Sequence, residues 1–166
     1  MDPFFIWLEA TSLSTWIREE PSVFAFLTIL TVHTIGMALV VGIGVALDFR
    51  ILGVAPQVPI VEMKRFFPAM WVGLWLNVVS GAALLIGYPT KALTNPVFFL
   101  KLAFIALALV ILQAMGRRVV RDGVPAEGPM PTRLRMLAVA SILSWAGAIA
   151  SGRLLAYTYT RLMAIP

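Results

Sequence analysis

The chain of 166 residues has no cysteine, a single histidine and few charged residues. Without thiolates it has no ligands for iron–sulfur clusters or thiolate-bound metals, no covalent haem attachment and no disulfide. One histidine cannot complete a zinc site made by this chain alone. Charged residues make up 13% of the chain and hydrophobic residues 60%, whereas soluble domains carry about 25% charged residues. A soluble fold of this length could not cover so large an apolar core.

The charges that are present lie far apart. No charge occurs in the 27 residues between Glu20 and Asp48 or in the 25 residues between Arg65 and Lys91, and the mean hydropathy is +0.92. About 20 apolar residues suffice for a helix to cross the hydrocarbon core of a bilayer. The sequence therefore predicts an all-α integral membrane protein. We expect a four-helix up-down bundle over 21–166, with spans at about 21–47, 66–88, 96–116 and 135–160.

The first twenty residues mix polar and apolar side chains, unlike the spans. They lack the basic region of a secretory signal peptide and carry three glutamates. Their apolar side chains, including Phe4, Leu8 and Trp16, favour a helix that lies in the membrane interface. We therefore predict an interfacial amphipathic helix over 1–20.

Lysines and arginines are distributed unequally between the two sides of this predicted bundle. Five lie on the side of both termini, and eight lie on the side of the first and third connections. By the positive-inside rule the side with eight cations is cytoplasmic, which predicts a bacterial inner-membrane protein with both termini in the periplasm. Because topology accounts for the net charge of +5, we expect membrane lipid rather than nucleic acid as a partner.

His33 lies near the middle of the first span, a depth at which ionisable side chains are costly and usually functional. A mid-span imidazole in a four-helix bundle is suited to hold haem b, so His33 is a candidate metal ligand. With one imidazole per chain, the iron would be five-coordinate or two chains would share one haem. The alternative is a neutral histidine that hydrogen bonds to polar side chains at the same depth, with Asn77, Ser141 and Ser144 as candidate partners.

Lys101, Arg153 and Tyr157 are expected near the periplasmic ends of their helices. They either extend toward lipid headgroups within an aromatic belt or form an anion site for haem propionates, a quinone oxygen or a lipid phosphate. Trp145, near mid-depth, is typical of a bundle core, although its ring could also stack on a planar ligand. The candidate cofactor-binding residues are therefore His33, Asn77, Lys101, Trp145, Arg153 and Tyr157.

The remaining polar side chains and the methionines indicate which transport, catalytic and metal-binding functions the chain could have. We expect Asp48 and Arg50, at the cytoplasmic end of the first span, to form local caps and ion pairs with different partners. No carboxylate is expected at mid-depth, where a proton-driven transporter would place one. No constellation for catalysis by this chain alone is evident, so we do not predict an enzyme. Four scattered methionines could bind Cu(I) as soft ligands: Met37, Met70, Met115 and Met136.

Small residues on the first and fourth spans predict close helix packing, either inside the bundle or at an oligomer seam. They are Gly36, Ala38, Gly42 and Gly44 on the first span and Ser144, Ala148 and Gly152 on the fourth.

Short motifs run through nearly the whole chain. They are His33-x-x-Gly36 with Gly42, Asp48-Phe-Arg50-Ile-Leu-Gly53, Pro68-x-x-Trp71, Gly81, Asn95-Pro96-x-Phe98 with Lys101, Ser144-Trp145, Gly152-Arg153 and Ala156-Tyr157. In these motifs the chain resembles a bacterial family of small four-span inner-membrane proteins, a domain of unknown function. More distantly it is similar to membrane b-type cytochromes and copper-resistance membrane domains. It lacks the other histidines of dihaem cytochromes, which argues against transmembrane electron transfer by one chain.

Two functions are compatible with these observations. In the first, the chain is a binding or assembly subunit of a larger membrane redox complex, and His33, Lys101 and Arg153 line a shared haem or quinone site. In the second, it is a stand-alone homo-oligomer that conducts a small solute or an ion, including copper. Both functions place the chain among membrane partners, as a homo-oligomer or as one subunit of a complex.

Overall fold

The computed structural model describes residues 3–19, 24–121 and 130–162. The helices are α1 (Pro3–Glu9), α2 (Ser12–Glu19), α3 (Phe24–Leu52), α4 (Ile60–Met63), α5 (Phe67–Gly87), α6 (Pro89–Leu93), α7 (Pro96–Arg121) and α8 (Thr132–Leu162), with a 3₁₀ turn at Lys64–Phe66. The prediction of an all-α fold is confirmed for the described residues.

Four segments are long and apolar enough to cross a membrane: Phe24–Leu52, Lys64–Gly87, Pro96–Arg118 and Thr132–Leu155. They coincide with the four segments that the hydropathy pattern predicts. The α3 and α7 helices continue beyond the predicted ends, to Leu52 and Arg121. The predicted start of the first span at residue 21 lies outside the described residues.

The end of α3 is determined by a glycine. Gly53 has a φ of 104°, a conformation that glycine adopts without the steric cost that a Cβ atom brings. The N–H of Gly53 donates to the carbonyl oxygen of Arg50, and the N–H of Val54 donates to the carbonyl oxygen of Phe49. These are the two hydrogen bonds of a Schellman motif, which ends the helix and turns the chain toward α4.

The start of α7 is determined by an asparagine and a proline. Asn95 is buried, and its Oδ1 accepts a hydrogen bond from the N–H of Val97 at 3.0 Å. Pro96 occupies the first helical position, where no N–H is needed. The Nδ2 of Asn95 also donates to Thr158 Oγ1 at 2.9 Å. The same side chain therefore caps α7 and joins it to α8.

The long helices pack in the order α5–α3–α8–α7. The α3 helix packs against both α5 and α8, and α7 packs against α8. Buried apolar side chains such as Leu47, Ile51, Met115 and Ala138 form a core in the half of the bundle where α3 ends. The α5 and α7 helices face each other across an open groove, which Val40 of α3 also lines.

Glycines account for the close approach of α3 to its neighbours. A Cβ atom at Gly36 would lie 2.7 Å from the carbonyl oxygen of Gly73 on α5. Gly44 faces Trp145 of α8, with 3.3 Å between an added Cβ and the indole nitrogen. In the described part of the chain, no atom lies within 4 Å of a Cβ built at Gly42. Gly36 and Gly44 therefore serve packing inside the bundle, whereas Gly42 faces outward.

The segment expected to form one interfacial helix over 1–20 forms two, α1 and α2, in the described residues. The break falls at Thr11. Its hydroxyl donates to the carbonyl oxygen of Leu8 and accepts a hydrogen bond from the N–H of Ser14. Thr11 therefore caps the start of α2. Ile17 of α2 is buried, and its Cγ2 lies 2.8 Å from a Cβ built at Gly87. The α2 helix therefore packs against the end of α5.

Candidate functional site

The single histidine lies at the contact between α3 and α5. His33 Nδ1 and Ser80 Oγ are 3.0 Å apart, and the ring packs on Gly81, where an added Cβ would lie 3.2 Å from His33 Cε1. The Ser80 hydroxyl donates its proton to the carbonyl oxygen of Leu76 at 2.5 Å, so Ser80 Oγ accepts from an Nδ1–H group. We therefore assign the Nδ1-protonated tautomer, in which Nε2 carries the lone pair.

A second hydrogen bond fixes the backbone beside the imidazole. Asn77 Nδ2 donates to the carbonyl oxygen of His33 at 2.8 Å, so the Asn77 side chain binds the main chain, and the Asn77 backbone lies within reach of the imidazole. The ring's partner is Ser80, which the sequence analysis missed. Ser80 follows Asn77 by three residues on the same face of α5, and this spacing was the available signal. Of the other expected partners, Ser144 donates to a carbonyl of its own helix and Ser141 faces Asp48.

Four of the six candidate residues surround one small cavity between the four long helices. His33, Asn77, Lys101 and Trp145 all line this cavity, which has a volume of about 30 Å³. The stem of Lys101 crosses α8 at Gly152, with 3.8 Å between its Cδ and Cε atoms and an added Cβ. An imidazole, an amide and an amine therefore meet in otherwise apolar surroundings.

Arg153 and Tyr157 lie apart from this cavity. Both side chains are exposed, Tyr157 to 69%. They follow Trp145 on α8 by 8 and 12 residues, which rotates them by about 80° and 120° from the cavity at 3.6 residues per turn. The candidate site is therefore only partly assembled inside one chain.

The cavity does not fit haem b. A volume of about 30 Å³ holds one water molecule, whereas pockets for cofactor-sized ligands measure about 300–1,000 Å³. Separately, no group of three or more His, Asp or Glu side chains that could hold a bare metal ion occurs in residues 3–19, 24–121 and 130–162. A haem shared between the outer surfaces of two chains stays a prediction.

A buried carboxylate lies elsewhere in the bundle. Asp48 of α3 and Ser141 of α8 are both fully buried, and their side chains interact across the contact between the two helices. Within the described residues, however, no hydrogen bond of normal geometry reaches either carboxylate oxygen or the Ser141 hydroxyl, so the two side chains face each other without a third polar partner. The expected local cap or ion pair is therefore wrong for Asp48. Arg50 does bind locally, because it donates to the carbonyl oxygens of Pro56 and Val58 at 2.8 and 2.5 Å, but it forms no ion pair among the described residues.

The groove between α5 and α7 is the second feature that the sequence analysis missed. It has a volume of about 580 Å³ and is lined mainly by apolar side chains, among them Met70, Trp71 and Leu109. Its polar lining is Gln113 and Arg117 of α7, joined by a hydrogen bond of 3.3 Å from Arg117 Nη2 to Gln113 Oε1. The groove therefore has the profile of a site for an amphiphile.

The groove and the cavity at His33 are adjacent. Val40 of α3 and Leu74 of α5 line both of them. These two side chains form an apolar wall between the open groove and the small cavity at His33.

Comparisons of the chain with protein-family models, with curated proteins and with solved structures give no match. The resemblance to a bacterial four-span family stays a prediction from the motifs. The chemistry of the groove, the cavity and the buried carboxylate therefore has to be argued from their geometry.

Proposed function

We propose that the chain is a multi-pass membrane protein with four spans in an up-down bundle. Four helices have the length and hydropathy for this role. Large apolar side chains also lie exposed along them, among them Phe24, Trp75, Val79 and Met136. Soluble monomers rarely expose contiguous apolar surface on this scale, whereas lipid covers it. The distribution of lysine and arginine supports a bacterial inner membrane and periplasmic termini.

The function that the geometry supports best is binding of a lipid-soluble amphiphile in the groove between α5 and α7. The observation that carries this proposal is the combination of a volume of about 580 Å³, within the range of ligand sites, with an apolar wall and a polar end. An apolar chain would lie along Met70 and Leu109. A headgroup would accept hydrogen bonds from the amide of Gln113 and the guanidinium of Arg117.

A quinone is the redox-active ligand of this class. Its carbonyl oxygens accept hydrogen bonds from amide and guanidinium donors, and its isoprenoid chain matches the apolar wall. The proposed role is therefore a quinone-binding subunit of a larger membrane redox complex. The groove, rather than the cavity at His33, supplies the volume for the ligand. His33, Asn77 and Lys101 lie behind the wall made by Val40 and Leu74.

The proposal is tested by quinone binding to the protein purified in mild detergent. A short-chain ubiquinone analogue is titrated, and quenching of tryptophan fluorescence reports its arrival near Trp71. Arg117→Gln is expected to weaken binding about tenfold, the equivalent of one hydrogen bond of roughly 1.4 kcal/mol. Arg118→Gln is the matched control, because Arg118 is exposed and does not line the groove.

A second pair of variants tests the apolar part of the groove. Leu109→Trp places a large ring in the groove and is expected to abolish binding. Leu107→Trp, on an exposed face of α7, is expected to bind as the natural chain does. Equal affinity in all four variants would contradict a site in the groove. Extraction of phospholipid alone from the purified protein, with no quinone titration signal, would contradict the redox role.

The topology can be mapped by labelling introduced cysteines, because the chain has no cysteine of its own that would give background labelling. Single cysteines placed at either terminus are expected to react with a membrane-impermeant maleimide from the periplasmic side. Cysteines in the connection between α7 and α8 are expected to react only after the membrane is permeabilised. The reverse pattern would contradict the proposed orientation.

Conduction by a stand-alone homo-oligomer stays a prediction for an assembly of several chains. In the described part of one chain, the cavity at His33 holds about one water molecule, and Asp48 is sealed among apolar side chains. A conducting path would therefore have to form between chains. The mass of the purified particle in mild detergent separates a homo-oligomer from a subunit that needs other proteins.

A further inference from the structure

At the contact between α3 and α8, three buried side chains carry polar atoms that have no hydrogen-bond partner in the described residues. They are the two oxygens of Asp48, the hydroxyl of Ser141 and the indole N–H of Trp145. Asp48 and Ser141 are each 0% exposed and Trp145 is 4% exposed. Buried polar groups are nearly always hydrogen-bonded, so a cluster of exceptions indicates a missing partner such as an ion or a water molecule.

The missing partner has to carry positive charge if Asp48 is ionised. An ionised carboxylate buried without a counter-charge costs several kcal/mol, and a neutral water molecule would leave that charge uncompensated. On α3, Asp48 lies between Leu47 and Ile51, which both belong to the buried apolar core.

Within the described residues, no charged side chain on the elements around this core forms an ion pair or a hydrogen bond with Asp48, and this includes the half-buried Lys64 of the 3₁₀ turn. Arg50 of α3 is bound to carbonyl oxygens of the following connection. On α8, Arg133 and Arg135 are exposed, and beside α4 Arg65 pairs with Glu62 at 3.0 Å. On α7, Arg117 and Arg118 are exposed, and within the described residues α5 carries no charged side chain.

We infer that Asp48 and Ser141 form the binding site of one monovalent cation, either a proton or a sodium ion, inside the bundle. One carboxylate matches one positive charge. Divalent ions would be under-coordinated, because Ca²⁺ takes 6–8 oxygen ligands, often with several carboxylates. The described chain offers three side-chain oxygens here, and Glu62 of α4, the carboxylate on a neighbouring element, is exposed and pairs with Arg65. A proton needs one of these oxygens, and sodium would use all three together with water or backbone carbonyls.

Trp145 connects this site to the cavity at His33. It lies one helical turn beyond Ser141 on α8, lines the cavity, and directs its indole nitrogen toward Gly44, which is one turn before Asp48 on α3. The glycine leaves room for the indole N–H at the α3–α8 contact. The site is separate from the groove between α5 and α7, so the inference does not depend on quinone binding.

Two measurements on the full chain in mild detergent test the site. In the first, thermal unfolding is followed as sodium chloride replaces choline chloride at constant ionic strength. A bound sodium ion is expected to raise the melting temperature by about 5 °C or more when sodium is 100-fold above its dissociation constant. The shift is expected to disappear in Asp48→Asn and to need a higher sodium concentration in Ser141→Ala. Glu62→Gln, which removes an exposed carboxylate, is the control and keeps the full shift.

In the second, infrared spectra of the protein labelled with ¹³C-aspartate report whether the carboxyl group is protonated. The chain has three aspartates, so replacing Asp2 and Asp122 by asparagine leaves Asp48 as the only labelled side chain. A bound proton gives the carbonyl band of a carboxylic acid at neutral pH, whereas bound sodium gives a carboxylate band with the melting shift.

Each outcome decides the inference. A carboxylic acid band without a sodium shift assigns a proton, and a carboxylate band with a sodium shift assigns sodium. A carboxylic acid band together with a sodium shift overturns the inference, because sodium would then act away from Asp48. A carboxylate band together with no sodium dependence overturns the inference, because an ionised Asp48 would then have another partner. Both measurements use the natural Asp48, so they decide the inference even if Asp48→Asn does not fold.

Discussion

Replacing Gly36 by alanine tests the closest contact in the bundle. The new methyl group would lie 2.7 Å from the carbonyl oxygen of Gly73 and 2.9 Å from the backbone nitrogen of Asn77. Both atoms belong to the backbone of α5, so no side-chain rotation can relieve the contact. To reach an ordinary separation of about 3.4 Å, α3 and α5 would have to move apart by roughly 0.7 Å. The hydrogen bond between His33 and Ser80 crosses the same contact.

The expected loss follows from comparison with Gly42→Ala. Both changes add one methyl group to α3 and gain the same helix propensity, about 1 kcal/mol over glycine. At Gly42 no atom of the described chain lies within 4 Å of the new methyl group, whereas at Gly36 the methyl group is overpacked. Overpacking costs about 1–3 kcal/mol. Gly36→Ala is therefore expected to be less stable than Gly42→Ala by about 1–3 kcal/mol, or about 2–12 °C in melting temperature.

The assay is thermal unfolding of both variants in the same detergent, followed by tryptophan fluorescence at one scan rate. Equal melting temperatures for Gly36→Ala and Gly42→Ala would refute the reasoning. In that case α3 and α5 would not approach each other as closely as the structure shows. The double variant Gly36→Ala with Gly73→Ala is expected to be less stable still, because both methyl groups would enter the same contact.

Three further variants test packing and capping in the same assay. Gly147→Ala places a methyl group 2.8 Å from the Phe104 ring and is expected to lose about 1–3 kcal/mol; failure of an added Phe104→Leu to restore stability would contradict this contact. Asn95→Ala removes the cap of α7 and is expected to lose about 1–2 kcal/mol, so an unchanged melting temperature would contradict the cap. Gly53→Ala forces a Cβ into a φ of 104° and is expected to lose about 1–2 kcal/mol. Gly116→Ala, inside α7 and with open space at the new Cβ, is expected to gain up to about 1 kcal/mol from helix propensity.

The sequence by itself determined where the long helices lie. Hydropathy over about 20 residues is a property of the chain, and it indicated the four apolar helices that the structure contains. The end of α3 was expected at about residue 47 and lies at Leu52, before Gly53. The start of α7 was readable, because the Asn95–Pro96 pair acts on backbone groups a few residues away. Local interactions of this kind depend little on the rest of the fold.

The sequence also indicated part of the polar centre. His33, Asn77, Lys101 and Trp145 were singled out because polar or amphipathic side chains are rare in apolar helices, and the structure brings these four to one cavity. Their depth along each helix could be counted from the sequence. Ser80, the partner of the imidazole, could have been found by the same helical spacing.

Only the tertiary structure decided which way each helix faces. The long helices are apolar on nearly every side, so their hydropathy pattern does not distinguish a face in the core from a face toward lipid. For this reason Asp48 was expected near the surface and is fully buried, whereas Arg153 and Tyr157 were expected in the site and are exposed. The groove between α5 and α7 likewise exists because these two helices pack against α3 and α8 rather than closely against each other. The rotation and pairing of apolar helices depend on side-chain shapes across contacts between distant segments, which no local pattern in the sequence records.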